Sequence, residues 1–245
     1  KIKLLLSAFH LTYKPFGNSA ILIEWPAKIA EDIIGDIVIF EKKITKNSSV
    51  VDTVVAYHSL LIKYTAPVAN YTSTTRELQE LYTTTSSQKK EVQQLWQIPV
   101  CYHPSFGLDL EEMAAKKHCT VEDIIALHTG VSYLIYFIGF LPGFLYLGGL
   151  HATLHTPRIA TPRIRVAKGS VGIGGAQTGV YPQNSSGGWN IIGKSPVNFF
   201  NTNNVAPIFA KPGDRIQFIP ITLATFYEVE KEVANKTYTL KSSLL

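Results

Sequence analysis

The sequence predicts an α+β protein. A small α/β sandwich occupies residues 1–95, and a β-rich unit, a closed barrel or a sandwich, occupies residues 96–245. Three observations carry this reading. Helical periodicity is present before Tyr133 and lost after it. From there to Ile221 short β-type segments alternate with Gly/Pro turns. Twelve of the 17 glycines crowd into Phe137–Pro196, interleaved with Pro142, Pro157, Pro162, Pro182 and Pro196. Glycine permits close backbone approach and proline ends helices, so this mixture specifies short strands joined by defined turns.

Taken in order, His10–Lys14 alternates, Gly17-Asn18-Ser19 turns, and Ala20–Trp25 reads as a buried strand, together a hairpin. After Pro26, Ile29, Ile33, Ile37, Phe40 and Ile44 recur at helical spacing until Asn47-Ser48-Ser49 interrupts. Val50–Tyr57 and Leu60–Tyr64 are strand-like. Thr74 with Glu77 forms a capping box for a helix through Leu78, Leu81 and Tyr82. Thr83–Gln88 is polar, and a second helical piece is expected up to Trp96. The second unit begins with Pro99–Tyr102. Asp109, with Glu112 three residues on, and Thr120 are the N-caps of two short helices, the latter stopped by Gly130. Pro212-Gly213-Asp214 turns into the alternating strand Arg215–Ile219. Tyr227–Leu245 reads as an acidic helix or strand with a loose tail.

An apolar content of 46% with 17% charged residues excludes a disordered chain. No run reaches the roughly 18 apolar residues of a membrane span. The apolar patch in Lys1–Tyr13 is broken by Ser7 and His10, too short for a signal-peptide core, so a soluble cytoplasmic protein is expected. Cys101 and Cys119 are too few for a disulfide scaffold or a four-ligand zinc site and read as buried free thiols. The net charge of +5 comes without a basic run longer than two residues, which argues against nucleic acid as a partner. The charge is nevertheless one-sided. The 90 residues Ile124–Gly213 contain no Asp or Glu, yet hold Arg158, Arg163, Arg165, Lys168, Lys194 and Lys211. A small anionic substrate fits that pattern.

Two segments are candidates for holding it. In Thr156-Pro157-Arg158 and Thr161-Pro162-Arg163, with Arg165 following, proline stiffens the backbone next to each arginine. Fixed guanidinium groups suit bidentate capture of carboxylate or phosphate; the alternative is that one or more pins a carbonyl or lies on the surface. In the segment Gly169-Ser170-Val171-Gly172-Ile173-Gly174-Gly175, continuing to Gln177, successive amides offer an anion nest, unless the glycines serve close strand packing. Gly188–Ser195 matches G-x-x-x-x-G-K-S letter for letter. It follows a loop, opens no helix and carries Trp189, Ile191 and Ile192 where phosphate would approach, so it is not a phosphate loop; Lys194 remains a possible anion contact. His128 shares the apolar stripe of Val121, Ile124 and Ile125, the usual place of a satisfied core histidine; an acid/base or orienting role is the alternative. His151 and His155 lie in a loop, and no metal site is expected.

GFLPGFLYLGGL, TPRIATPRIRV, KGSVGIGGAQTGVYP, SGGWNIIGKSP and KPGDRIQFIPI together resemble the family of 5-oxoprolinase B subunits, also called KipI-like or allophanate hydrolase subunit 1-like. The resemblance implies a cyclophilin-like β-barrel behind a small α+β domain. It also implies a complex with a homologous C subunit and an A subunit that opens 5-oxoproline to glutamate. ATP with Mg²⁺ is then a co-substrate, and no tightly bound cofactor is implied. Other relatives belong to urea carboxylase, and one inhibits a sporulation histidine kinase, which makes such a kinase the alternative partner. On this reading Arg158 and Arg163 hold the substrate carboxylate or the transferring phosphoryl group, the Gly169–Gly175 amides stabilise oxyanion charge, and His128 is the acid/base or orienting residue. Ile159, Ala167-Lys168, Ser186 and Lys194-Ser195 depart from the usual family letters.

Overall fold

Thr12–Pro15 (β1) and Ala20–Glu24 (β2) pair as the expected antiparallel hairpin. They belong to the first of two compact units, Lys1–Val92 and Gln93–Leu245, in a computed structural model that describes residues 9–84 and 92–245. With Val50–Val55 (β3) and Ser59–Tyr64 (β4) they make an antiparallel sheet of order β1-β2-β4-β3. The helix Glu31–Ile44 (α1) buries Ile33, Ile37, Phe40 and Ile44, as their spacing predicts. Ile29 lies ahead of its first turn and is exposed.

The helix Tyr71–Thr83 (α2) begins one turn before the expected capping box. Asn70 is the cap and accepts from the Ser73 amide at 3.0 Å, while the Thr74 hydroxyl donates back to the Asn70 carbonyl at 2.9 Å. Asn satisfies an orphan amide as well as Thr does, so the earlier start leaves Thr74 inside the helix. The rings of Trp25, Phe40 and Tyr82 meet edge to face, and the Asp36 carboxylate accepts from Trp25 Nε1 and the Tyr82 hydroxyl, both at 2.7 Å.

The start of the chain to Ala8, most of the polar Thr83–Gln88 stretch and the first part of the expected second helical piece lie outside the described residues. The end of that piece is not helical: Gln94–Cys101 is a strand (β5). It runs parallel to Arg215–Ile221 (β13), in register from Leu95 opposite Arg215 to Cys101 opposite Ile221. Long-range pairing of this kind overrides the weak local helical preference.

Two helices follow β5, Leu110–Lys117 (α3) and Val121–Thr129 (α4), the second with the Thr120–Asp123 capping box. The further strands are Ser132–Ile138 (β6), Leu145–Gly148 (β7), Arg163–Val166 (β8), Ser170–Gly174 (β9), Gln177–Val180 (β10), Ser185–Gly187 (β11) and Asn190–Lys194 (β12). Order β12-β9-β10-β7-β6-β13-β5, with Lys194 of β12 pairing Cys101 of β5, closes a seven-stranded barrel and excludes the sandwich. β8 and β11 form a separate two-stranded ribbon. The chain ends with the helix Leu223–Ala234 (α5) and Ser242–Leu244 (β14), which pairs with β5 at Gln94–Trp96, so the expected loose tail carries a strand.

Ile98, Tyr133, Val171, Ile173, Ile216 and Phe218 fill the barrel. Asp214, 2% exposed at the head of β13, accepts from the Gln94 amide (3.2 Å), Trp96 Nε1 (3.2 Å) and the Lys211 amide (3.1 Å). Truncating it leaves three donors without that acceptor. Asp214→Ala is expected to lower stability by about 2–4 kcal/mol, read as a reduced urea midpoint with an unchanged m-value.

Candidate functional site

The arginine segment is a strap held at several points. Thr156 and Gly175 exchange backbone hydrogen bonds at 3.0 and 2.7 Å. Asn190 Nδ2 donates to the Pro157 carbonyl at 2.9 Å, and the Ile159 amide donates to the Gly188 carbonyl at 2.8 Å. The strap continues into β8, whose partner is β11. Beneath the ribbon lies an apolar cluster separate from the barrel core: Phe144, Val166, Tyr181, Trp189 and Ile191.

The three arginines do not converge. Arg163 turns inward, where its guanidinium donates to the Asp109 carboxylate at 2.5 Å and to the Trp189 carbonyl at 3.4 Å. Asp109 is 6% exposed, and its second oxygen accepts from the Ile191 amide at 2.6 Å. Asp109 stands before α3 as expected, but its side chain does not cap that helix, because Arg163 and Ile191 hold it. The acid-free span therefore borrows a carboxylate from 54 residues upstream, and Arg163 is a structural pin, the second of the two roles open to it from sequence.

A bulge explains the remaining orientations. Gly187 pairs with Arg163 and Ser185 with Val166, so β8 spends two residues, Ile164 and Arg165, against Ser186 alone. Arg163 and Val166 both face inward, while Ile164 and Arg165 are both exposed. Arg158 is exposed too. Its charge, with that of Arg163, acts on the Tyr181 hydroxyl and partly offsets the upward pull of burial on that group. Neither Arg158 nor Arg165 has a carboxylate within ion-pair reach among the described residues.

The glycine segment proves to be packing. The amides of Gly169, Ser170 and Gly175 donate to the carbonyls of Tyr181, Ala167 and Thr156. Gly172 and Gly174 lie in β9, which is paired on one side with β10 and on the other with β12. Ser170 is buried and Gln177 half-buried opposite Gly174. The strand ladder and turns thus engage the expected anion nest. A Cβ at Gly174 would collide with the Trp189 ring, and one at Gly169, where φ is +82°, with the Ser195 carbonyl.

Lys194 belongs to β12, so the G-x-x-x-x-G-K-S stretch is barrel strand. Its ammonium lies 5.2 Å from the Phe106 ring centre and 5.4 Å from that of Phe226, a cation–π arrangement. His128 is wholly buried and stacks on Phe218. The Thr178 hydroxyl donates to the Gly172 carbonyl at 3.2 Å, so it accepts from His128 Nε2–H at 2.8 Å. Nδ1 then accepts from the Tyr102 hydroxyl at 2.7 Å. Burial lowers the His128 pKa to about 3. It is a neutral core histidine that faces no groove, which removes the expected acid/base role. His151 and His155 bond locally to the Thr153 amide and the Leu150 carbonyl, and Cys101 and Cys119 are free thiols, buried and half-buried. Among the described residues, no helix is long and apolar enough to cross a membrane.

A closed barrel with a pinned outer ribbon is the architecture of one enzyme class. A family model described as carboxyltransferase domain, subdomains C and D, matches residues 11–210. The chain belongs to the family of 5-oxoprolinase B subunits: it is 31% identical over 228 residues to the Bacillus subtilis protein of that name, covering 88% of this chain and 95% of the relative. The Haemophilus influenzae protein of the same name is 35% identical over 205 residues, 84% of this chain and 95% of that one. Among solved structures, TTHA0988 matches with a TM-score of 0.71 at 29% identity, over 82% of this chain; this chain spans only 40% of that longer polypeptide. The Kluyveromyces lactis urea amidolyase matches in fold, with a TM-score of 0.77 at 15% identity, over 97% of this chain and 16% of the other.

Two outcomes are expected. Arg163→Ala strands a buried carboxylate and should cost about 2–3 kcal/mol in urea unfolding, whereas Arg165→Ala should cost under ~0.5 kcal/mol. Below the ordinary histidine pKa of 6.5 the unfolded chain takes a proton that folded His128 refuses until about pH 3. Its contribution to stability is therefore full above pH 6.5 and lost as pH falls, at up to about 1.4 kcal/mol per unit. Between about pH 6 and 5 the stability of the wild type should fall more steeply than that of His128→Gln, by about 1 kcal/mol per unit.

Proposed function

We propose that the protein is the B subunit of an ATP-dependent 5-oxoprolinase complex, opening 5-oxoproline to glutamate with a homologous C subunit and an A subunit. One observation supports this most. Arg158 stands exposed on a strap fixed on both sides of it, beside Tyr181 and without a carboxylate partner among the described residues, in a chain whose relatives of that name match over most of its length.

The chemistry fits such a division of labour. The ring amide of 5-oxoproline is a poor electrophile, and phosphoryl transfer from ATP, with Mg²⁺, converts its oxygen into a leaving group. Arg158 holds the substrate carboxylate or the transferring phosphoryl group by its planar fork. Asp109, His128 and Asp214 are each engaged inside this unit, so the proton-transferring groups in this reading come from the partner subunits. A cytoplasmic location goes with dependence on ATP.

Reconstitution checks this. The three subunits together should release glutamate only when both ATP and 5-oxoproline are present. Arg158→Ala should lower kcat/KM at least ~10-fold with an unchanged urea midpoint. A wild-type rate from Arg158→Ala removes that residue from the site. Stable co-purification with a histidine kinase, without turnover, replaces the enzyme reading with the regulatory one.

A further inference from the structure

The β8 bulge leaves something for which the barrel has no use. Ile164 is 94% exposed in the middle of a strand, and Arg165 beside it is exposed with no ion pair or hydrogen bond among the described residues. Behind them Arg163 and Val166 are fixed, the first by Asp109 and the second by the aromatic cluster, so the pair projects from a rigid backing. Phe140 joins the same cluster. Its ring lies 5.5 Å from that of Phe144, yet it is 62% exposed and held at φ +63°, a conformation that costs a bulky residue energy.

The charge around this surface is unbalanced. The carboxylates that border the acid-free span are committed elsewhere: Asp109 to Arg163, Asp123 to the α4 capping box and Asp214 to the β5–β13 junction. No acid of the span itself can answer Arg165.

We infer that the outward face of the β8–β11 ribbon, centred on Ile164 and Arg165 with Phe140 at its margin, is the docking surface for the C subunit, which meets it with an apolar socket rimmed by carboxylates. Burying a side chain as exposed as Ile164 removes apolar area from water, and a guanidinium offered without a partner selects an acidic face. This rests on the 5-oxoprolinase reading above. It places Arg158, seven residues back on the same strap, next to a boundary between chains, where a partner's groups reach the substrate it holds.

The test is the association of the purified chain with the C subunit, measured by calorimetry at two salt concentrations. Ile164→Asp and Arg165→Glu are each expected to weaken Kd at least ~10-fold, and Phe140→Ala by a few-fold. All three should keep the wild-type urea midpoint, and the Lys46→Glu control its wild-type Kd. Binding of wild type should weaken with salt, and binding of Arg165→Glu should lose that dependence. If wild type binds and both ribbon variants bind equally well, the surface is wrong and the 5-oxoprolinase reading survives. If wild type does not bind the C subunit, both fall. Dimerisation of the free chain that Ile164→Asp abolishes assigns the ribbon to self-association instead and overturns the inference.

Discussion

The Asp109 carboxylate is the constraint on which the rest of the second unit turns. It lies almost out of water, where an unpaired charge is costly. Three elements supply what it needs. Asp109 precedes α3, one of its oxygens takes the Ile191 amide of β12, and the other takes the Arg163 guanidinium of β8. The backbone repeats the tie, with the Asp109 amide donating to the Ile191 carbonyl at 2.9 Å. Once Arg163 is drawn inward and Val166 must also face the cluster, regular alternation is impossible over the four residues of β8. The bulge resolves the conflict by turning Ile164 and Arg165 out together. A single ion pair thus decides which arginines are structural and which face solvent.

Ring packing sets the second constraint. Trp189 lies against Gly172, Gly174 and Gly179, and the Tyr181 hydroxyl against Gly187. At Gly174 and Gly187 any Cβ would overlap the ring, so large aromatics sit flat on the strands only where side chains are missing. Edge-to-face contacts of Phe144 with Trp189 and Tyr181 complete the layer. This accounts for a glycine-rich sequence with no ligand required, since the strand ladder and turns already engage the backbone amides that a nest would need. The anion-binding signal of the span survives only in its side chains.

Much of the fold was legible because its signals are local. The period of α1, the capping box at Thr120, the first hairpin and the alternation of Arg215–Ile219 depend on neighbours a few residues apart. The poor context of G-x-x-x-x-G-K-S, with bulky residues inside the motif, likewise read correctly as something other than a phosphate loop. Elements set by distant partners did not read. β5 is a strand because β13 lies beside it, from a part of the chain more than a hundred residues later. Asp109 looks like an ordinary helix cap until Arg163 arrives from 54 residues downstream. The cap at Asn70 was hidden by a second acceptable cap at Thr74. For the candidate site, composition located the span but could not separate Arg163 from Arg158 and Arg165, because a β-bulge leaves no mark in the letters.

The distribution of cations then narrows where chemistry can occur. Inside the barrel the polar chain from Tyr102 through His128 and Thr178 to the Gly172 carbonyl is fully directed, each donor with one acceptor, and it stays neutral because charging His128 would strand a proton in the core. Lys168 is bonded to Asn198, and Lys194 faces two rings. What remains outward are Arg158 and Arg165, whose planar forks keep full charge at any physiological pH and match carboxylate or phosphate in a way an ammonium does not. A barrel whose interior is sealed and whose two nearby lysines are occupied has placed its uncommitted recognition groups on one pinned strap. Anything this protein recognises through charge on that side must meet it there.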